Sequence, residues 1–208
     1  TSTLSSTSTN TSSSDGVSGV SESVLPSIVA IDVKTTQTST DVFGRTYEQD
    51  ASGSGSGIIV AQDSKNIYIA TKTAAQNSDD FWKDLNTSLN NLKTDYIDIY
   101  QFHNPSFCPK PGDETGLYEA MLEAKAQGKI RHIGITNHRL NVANEAIESG
   151  LYETLQFPFN YLATEKEHEL VEVCRSKNMG FIAMKALSGG LITNSKAAYA
   201  YQAEYDNV

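Results

Sequence analysis

From residue 71 onward the chain alternates short apolar stretches with amphipathic ones, and this alternation limits the possible folds more than any other feature. Phe81, Leu85, Leu89 and Leu92 fall at i, i+4, i+8 and i+11, one face of a helix that opens at Ser78 with Asp79 and Asp80 near its positive end. Residues 96–102 then read as a strand. Leu117, Ala120, Met121 and Ala124 mark a second helix stopped by Gly128, and 130–135 is the next strand. A helix through about 139 to 148 ends near Gly150, and a short strand sits at 154–157. Thr164 and Glu167 form a capping box before a Leu170/Val173/Cys174 face, and 179–184 is again a strand. With the stretch 66–73, this makes five strands alternating with helices at spacings of about 25 to 35 residues. Such a series predicts parallel βα units, either a barrel or an open doubly wound sheet.

The residues ahead of this region follow different rules. Twelve of the first fourteen are Ser or Thr, too little apolar surface to offset the entropy of ordering, so 1–20 is expected to be a disordered tether. Residues 24–33, 56–61 and 67–70 are β-branched runs bounded by polar clusters and predict a short all-β segment over 21–70. The Gly/Ser run at 50–57 lacks the Gly-Lys-Ser/Thr or helix opening of a phosphate loop and reads as a hairpin or strand lead-in. The domain plan is therefore 1–20 tether, 21–70 β segment and 71–208 (β/α) region.

Charge and cysteines narrow the chemistry. A net charge of −9 over 208 residues disfavours a nucleic-acid or anionic-membrane surface, where clustered Lys and Arg would dominate. Cys108 and Cys174 lie far apart without CxxC or Cys/His spacing, so no metal site is written here. No run is long and apolar enough to suggest a membrane span. The chain opens on Thr1 without a targeting pattern, as a processed product or fragment would.

Several ordered motifs carry a resemblance: Ile69-Ala-Thr-Lys-Thr73, Leu92-Lys-Thr-Asp-Tyr-Ile-Asp-Ile-Tyr-Gln-Phe-His-Asn-Pro105, Gly128-Lys-Ile-Arg-His-Ile-Gly-Ile-Thr-Asn137 and Gln156. Over about residues 67–208 the chain resembles an aldo/keto reductase, which implies a partial TIM-type barrel and NADPH-dependent reduction of a small-molecule carbonyl. The run Met184-Lys-Ala-Leu-Ser-Gly-Gly-Leu191 is similar to the branch with an additional C-terminal iron-sulfur domain, which this sequence does not include. Residues 17–70, from Val24-Leu-Pro-Ser-Ile-Val-Ala-Ile31 through Gly53-Ser-Gly-Ser-Gly-Ile-Ile-Val60, instead resemble the first strands of a trypsin-like serine protease of the HtrA/DegP type. There the family's catalytic His would follow the strand at 67–70, whereas this chain continues Lys72-Thr-Ala-Ala75. The resemblance thus implies a bacterial hybrid with no protease triad. The two halves point to opposite compartments, cytoplasmic for the reductase part and extracytoplasmic for the protease-like start.

The reductase resemblance assigns residues one by one. Lys72 matches the Lys that lowers the pKa of a catalytic Tyr, and His103 matches the His that orients the substrate oxygen. Thr136, Asn137 and Gln156 match the contacts to the nicotinamide carboxamide, Met184 the position stacked on the ring, and Leu187, Ser188 and Gly190 the pyrophosphate loop. The family's last strand, with its adenosine-phosphate grip, would lie beyond Val208, so weakened cofactor binding is expected. The Asp and Tyr of the tetrad would precede Lys72 by about 30 residues with four between them, in the protease-like stretch. Asp41 and Tyr47 are the nearest candidates but have five between them. Loss of a general acid removes roughly 10²- to 10⁴-fold in rate, so the expectation is an oxidoreductase by descent without appreciable turnover. The alternative is a non-catalytic hybrid fragment or interaction module.

Overall fold

The computed structural model describes residues 28–40, 46–62 and 67–208, with side chains from Tyr68 onward. The tether expected at 1–20, the strand start expected at Val24 and the candidate Asp41 lie outside the described residues. Seven strands form one sheet in chain order: β1 (Ile28–Thr40), β2 (Thr46–Gln62), β3 (Ile67–Thr73), β4 (Ile97–His103), β5 (Ile130–Thr136), β6 (Thr154–Pro158) and β7 (Gly180–Met184). Helices α1 (Ser78–Leu92), α2 (Leu117–Ala126), α3 (Leu140–Ser149) and α4 (Glu165–Ser176) separate the strands from β3 on, and α5 (Ser195–Gln202) follows β7. Strands β3 to β7 pair in parallel and, with their helices, make a partial TIM-type barrel.

The two leading strands join the same sheet. β1 and β2 form a long antiparallel hairpin, and β2 pairs antiparallel with β3 from Ile58 opposite Ala70 to Gln62 opposite Ile67. The expected strand across 67–73 is continuous. The Gly/Ser run at 50–57 lies inside β2 opposite residues 29–36 of β1, where β-branched partners favour extended backbone. Tyr47 sits opposite Ser39. Extending the β2–β3 register would place Ser56 beside Lys72, so Tyr47 stands nine residues up the strand, about 30 Å at the rise of an extended chain.

Strand alternation sorts the parallel strands into two faces. Tyr100, Phe102, Ile133, Ile135, Leu155, Phe157 and Phe181 are buried and face the helices. Phe81 of α1 meets the Tyr100 ring edge-on at 5.7 Å, and Tyr152 does the same to Phe102 at 6.3 Å. Fully burying an aromatic or aliphatic side chain of this size contributes about 1.5–3 kcal/mol, so this face fixes which way each strand is turned. Helix ends match their sequence cues with one adjustment. The N-cap of α1 is Asn77, whose side chain accepts the Asp80 N–H, and the Thr164/Glu167 capping box opens α4.

A helix that the strand series did not predict, α5, docks through aromatic contacts. Tyr201 and Tyr205 pack on Phe159, the latter at 4.9 Å, and their hydroxyls reach the two ring nitrogens of His168 at 3.2 and 3.0 Å. Beyond it, Asn207 accepts the Phe181 N–H along the outer edge of β7.

The sheet of described strands runs from β1 to β7 without closing on itself, and Tyr161, Leu162, Leu191 and Tyr199 are exposed. Exposed apolar surface of this kind binds hydrophobic dyes. The chain in solution is expected to enhance the fluorescence of such a dye and to melt over a broad range; a sharp melt without dye binding would contradict this.

Candidate active site

The face of the sheet opposite the helices is polar toward the C-terminal ends of the strands. Cα register aligns Lys72 with Gln101, Gly134 and Thr154, and one step further along it aligns His103 with Thr136 and Gln156. These residues share a face because side chains repeat every second residue. Met184, opposite Pro158, ends β7 on the same side. Of the residues expected from sequence, Lys72, His103, Thr136, Gln156 and Met184 therefore lie at one end of one face.

Local bonds hold each strand end. The Thr73 hydroxyl donates to Asp84 Oδ2 at 2.6 Å and accepts the Ala75 N–H at 3.0 Å, fixing the chain just after Lys72. Asn104, at φ 51°, donates its N–H to the Thr136 carbonyl at 2.7 Å, so the chain turns as it leaves His103 while remaining tied to β5. Asn137 is fully buried. Its Nδ2 donates to the Pro105 carbonyl at 2.8 Å, and its Oδ1 accepts the N–H groups of His138 and Arg139 at 2.9 Å each. Most of its side-chain capacity thus goes to holding the β4 and β5 ends together and opening α3, whose N-cap Arg139 makes no side-chain cap.

Gln156 is buried, and its Oε1 accepts from Gln101 Nε2 at 3.2 Å, which leaves the Gln156 amide hydrogens free for another acceptor. Gln101 Oε1 and Thr154 Oγ1 are buried without a hydrogen bond. A buried polar atom left unpaired costs about 1–3 kcal/mol, so these two mark a strip where polar chemistry is retained at the expense of stability. Gly134 lies between them. A Cβ there would stand 2.3 Å from Thr154 Oγ1 and 2.8 Å from Gln101 Cγ. Glycine is required at this strand position by close approach, not by backbone conformation.

The site is cationic in an acidic protein. Lys72 is half-buried and has no ion pair among the described residues, and burial lowers its pKa. His103 is exposed at the edge of this group, and burial of its ring and then the charge of Lys72 hold it below the usual histidine range. His138 is held down by burial and by the charges of Lys185, His103 and Arg139. Five basic groups from four strand ends thus converge where the described residues place no carboxylate. The 185–190 turn is more closed: Lys185, Ser188, Gly189 and Gly190 all have positive φ, and the N–H groups of Ser188 and Gly190 bond to Lys185 and Leu187 carbonyls at 2.8 Å. Leu187 and Ser188 are half-buried and Gly190 is exposed.

Gln101, Gly134 and Thr154 are contributors that the motifs did not single out. A glutamine inside an otherwise apolar strand and a glycine amid β-branched residues were the available signals. Gly134→Ala is expected to lower stability by about 1–3 kcal/mol through overpacking, read as a shift of the denaturant midpoint. Lys72→Met, which removes a half-buried cation lacking a counter-ion, is expected to melt no lower than wild type; a drop of several degrees would show an unseen partner for Lys72.

The aldo/keto reductase family pattern matches residues 37–206, so it takes in part of the 17–70 stretch for which a protease resemblance was expected. An aldo-keto reductase, YhdN, of Bacillus subtilis (strain 168) is 30% identical over 152 residues, 68% of this chain and 45% of the relative. The NADH-specific methylglyoxal reductase of Escherichia coli (strain K12) is 32% identical over 108 residues, 52% of this chain and 33% of the relative. This chain therefore spans less than half the length of either. An aldo-keto reductase structure from Pseudomonas aeruginosa superposes with a TM-score of 0.56 at 17% identity, over 67% of this chain and 57% of that one, a likeness of fold alone. With most of its length matched, the chain belongs to the aldo/keto reductase family.

Proposed function

We propose that this chain descends from an NADPH-dependent carbonyl reductase and retains part of its site without appreciable turnover. The observation that carries this reading is the gathering of Lys72, His103, Thr136 and Gln156 on one face at the strand ends, where (β/α) barrels place their chemistry. A nicotinamide group fits the polar strip. Its carboxamide offers one acceptor and two donors, which complement the free Gln156 amide hydrogens and the unpaired Gln101 Oε1. Met184 would lie against the ring. The surrounding cations suit an anionic pyrophosphate, although the N–H groups already used in the 185–190 turn favour a weak grip.

When bound, the cofactor would supply hydride to a carbonyl carbon. On the protein side, Lys72 and His103 would face the oxygen on which negative charge develops. Neither is a suitable acid near neutral pH. A protonated lysine remains a poor acid even when its pKa is lowered, and a histidine held below its usual range is mostly neutral. Tyr47, the candidate for the tetrad tyrosine, is displaced along β2 from the position opposite Lys72. The resemblance of 17–70 to a protease start adds no chemistry, since no triad accompanies it. The second reading, a non-catalytic hybrid module, rests on the same missing acid.

The test is NADPH consumption with a panel of aldehydes, measured beside a Lys72→Met, His103→Ala double variant. No difference between the two is expected. Robust turnover abolished by the two substitutions would overturn the inactive reading and direct the search for an acid to Tyr47.

A further inference from the structure

We propose that Lys72 is a covalent carbonyl-capturing amine, which forms an imine with small aldehydes at this site without any cofactor. The inference goes beyond the reductase reading and does not depend on it. Lys72 stands on the polar face at the strand ends, half-buried, with His103 beside it and no carboxylate among the described residues to hold it as an ion pair. Contrast the other lysines that the structure pairs: Lys110 with Glu145 at 2.6 Å, Lys125 with Glu153 at 2.5 Å, and Lys129 over the Trp82 ring.

An amine becomes a nucleophile when it is desolvated, and Lys72 is half-buried at its strand end. His103 is the basic neighbour of Lys72, and His138, Arg139 and Lys185 lie beyond it, around His138. Burial moves Lys72 toward the free base, and Lys72 in turn keeps His103 toward the neutral imidazole.

The step balances without an oxidant or reductant. The Lys72 Nζ lone pair attacks the carbonyl carbon, forming the C–N bond, and the C=O π pair moves to oxygen, which takes a proton to give a carbinolamine. Nζ then loses its proton, the C–O bond breaks, and oxygen departs as water after accepting a second proton. His103 is the group placed to carry these protons from nitrogen to oxygen. The product is a C=N bond plus water, and the sequence is reversible.

The full chain would be incubated near neutral pH with glycolaldehyde and sodium cyanoborohydride, which reduces an imine to a stable amine, and modification at each lysine would be mapped by peptide mass spectrometry. Lys72 is expected to be labelled faster than Lys110, because burial lowers the Lys72 pKa while the bond to Glu145 raises that of Lys110, so more of Lys72 is free base at a given pH. The Lys72 rate should also fall off at lower pH than the Lys110 rate does. His103→Gln is expected to slow labelling at Lys72 while leaving Lys110 unchanged. Each variant would be checked for native circular dichroism, and Lys72→Arg would confirm that labelling elsewhere is independent of the site. Labelling of Lys72 at or below the rate of Lys110 would overturn the proposal, as would a Lys72 rate indifferent to His103→Gln in a folded variant. NADPH is absent throughout, so the outcome is separate from whether the chain binds or oxidises it.

Discussion

The packing of helices against one face of the parallel strands determines the rest of the structure. Tyr100, Phe102, Ile133, Ile135, Leu155, Phe157 and Phe181 must all turn toward α1 to α4 to leave water. Since the side-chain period is two, a single-residue slip in any strand would expose its apolar set and bury its polar one. The register that satisfies the core therefore also delivers Lys72, Gln101, His103, Thr136 and Gln156 to the opposite face. The candidate site is a by-product of burial, which explains how its Lys and His are held in place by packing alone.

Much of this was legible in the sequence, and the reasons are specific. Helix α1 announced itself through Phe81, Leu85 and Leu89, all buried as their spacing implies, and the Thr164/Glu167 pair marked α4 to the residue. Lys72 and His103 were legible because motifs, not isolated residues, pointed to them. Their neighbours were harder to see. Gln101 acts through a partner 55 positions away, and Gly134 is required by two side chains from adjacent strands, so neither leaves a local pattern. Helix α5 escaped because its face is made of alanines and tyrosines that find their counterparts on α4 and Phe159, not along their own turn. The long reach of β1 and β2 was underestimated because Gly and Ser carry weak strand preference, and only cross-strand pairing reveals their extension.

Asn137 shows how resemblance and geometry can assign the same residue two duties. The family motif places it at the carboxamide, while this structure spends its Oδ1 on two N–H groups and an Nδ2 hydrogen on Pro105. With one amide hydrogen left, its first effect is to hold two strand ends at fixed separation. Substitution there would disturb His103 and Gln156 together, and a loss of binding would not identify a direct contact.

The contacts of His168 with Tyr201 and Tyr205 carry a consequence for how the C-terminal helix is held. The two hydroxyls lie 3.2 Å apart, and each also reaches a different imidazole nitrogen. A neutral imidazole and two phenols supply three protons and three acceptor sites for three bonds, so the ring closes head to tail, with each side chain giving once and receiving once. If Tyr205 donates to Tyr201, then Nδ1 must carry the imidazole proton and Nε2 must receive from Tyr201. Reversing the bond between the phenols moves the imidazole proton to Nε2 and turns every bond around, so the grip of α5 on α4 rests on three side chains whose donor roles change only together.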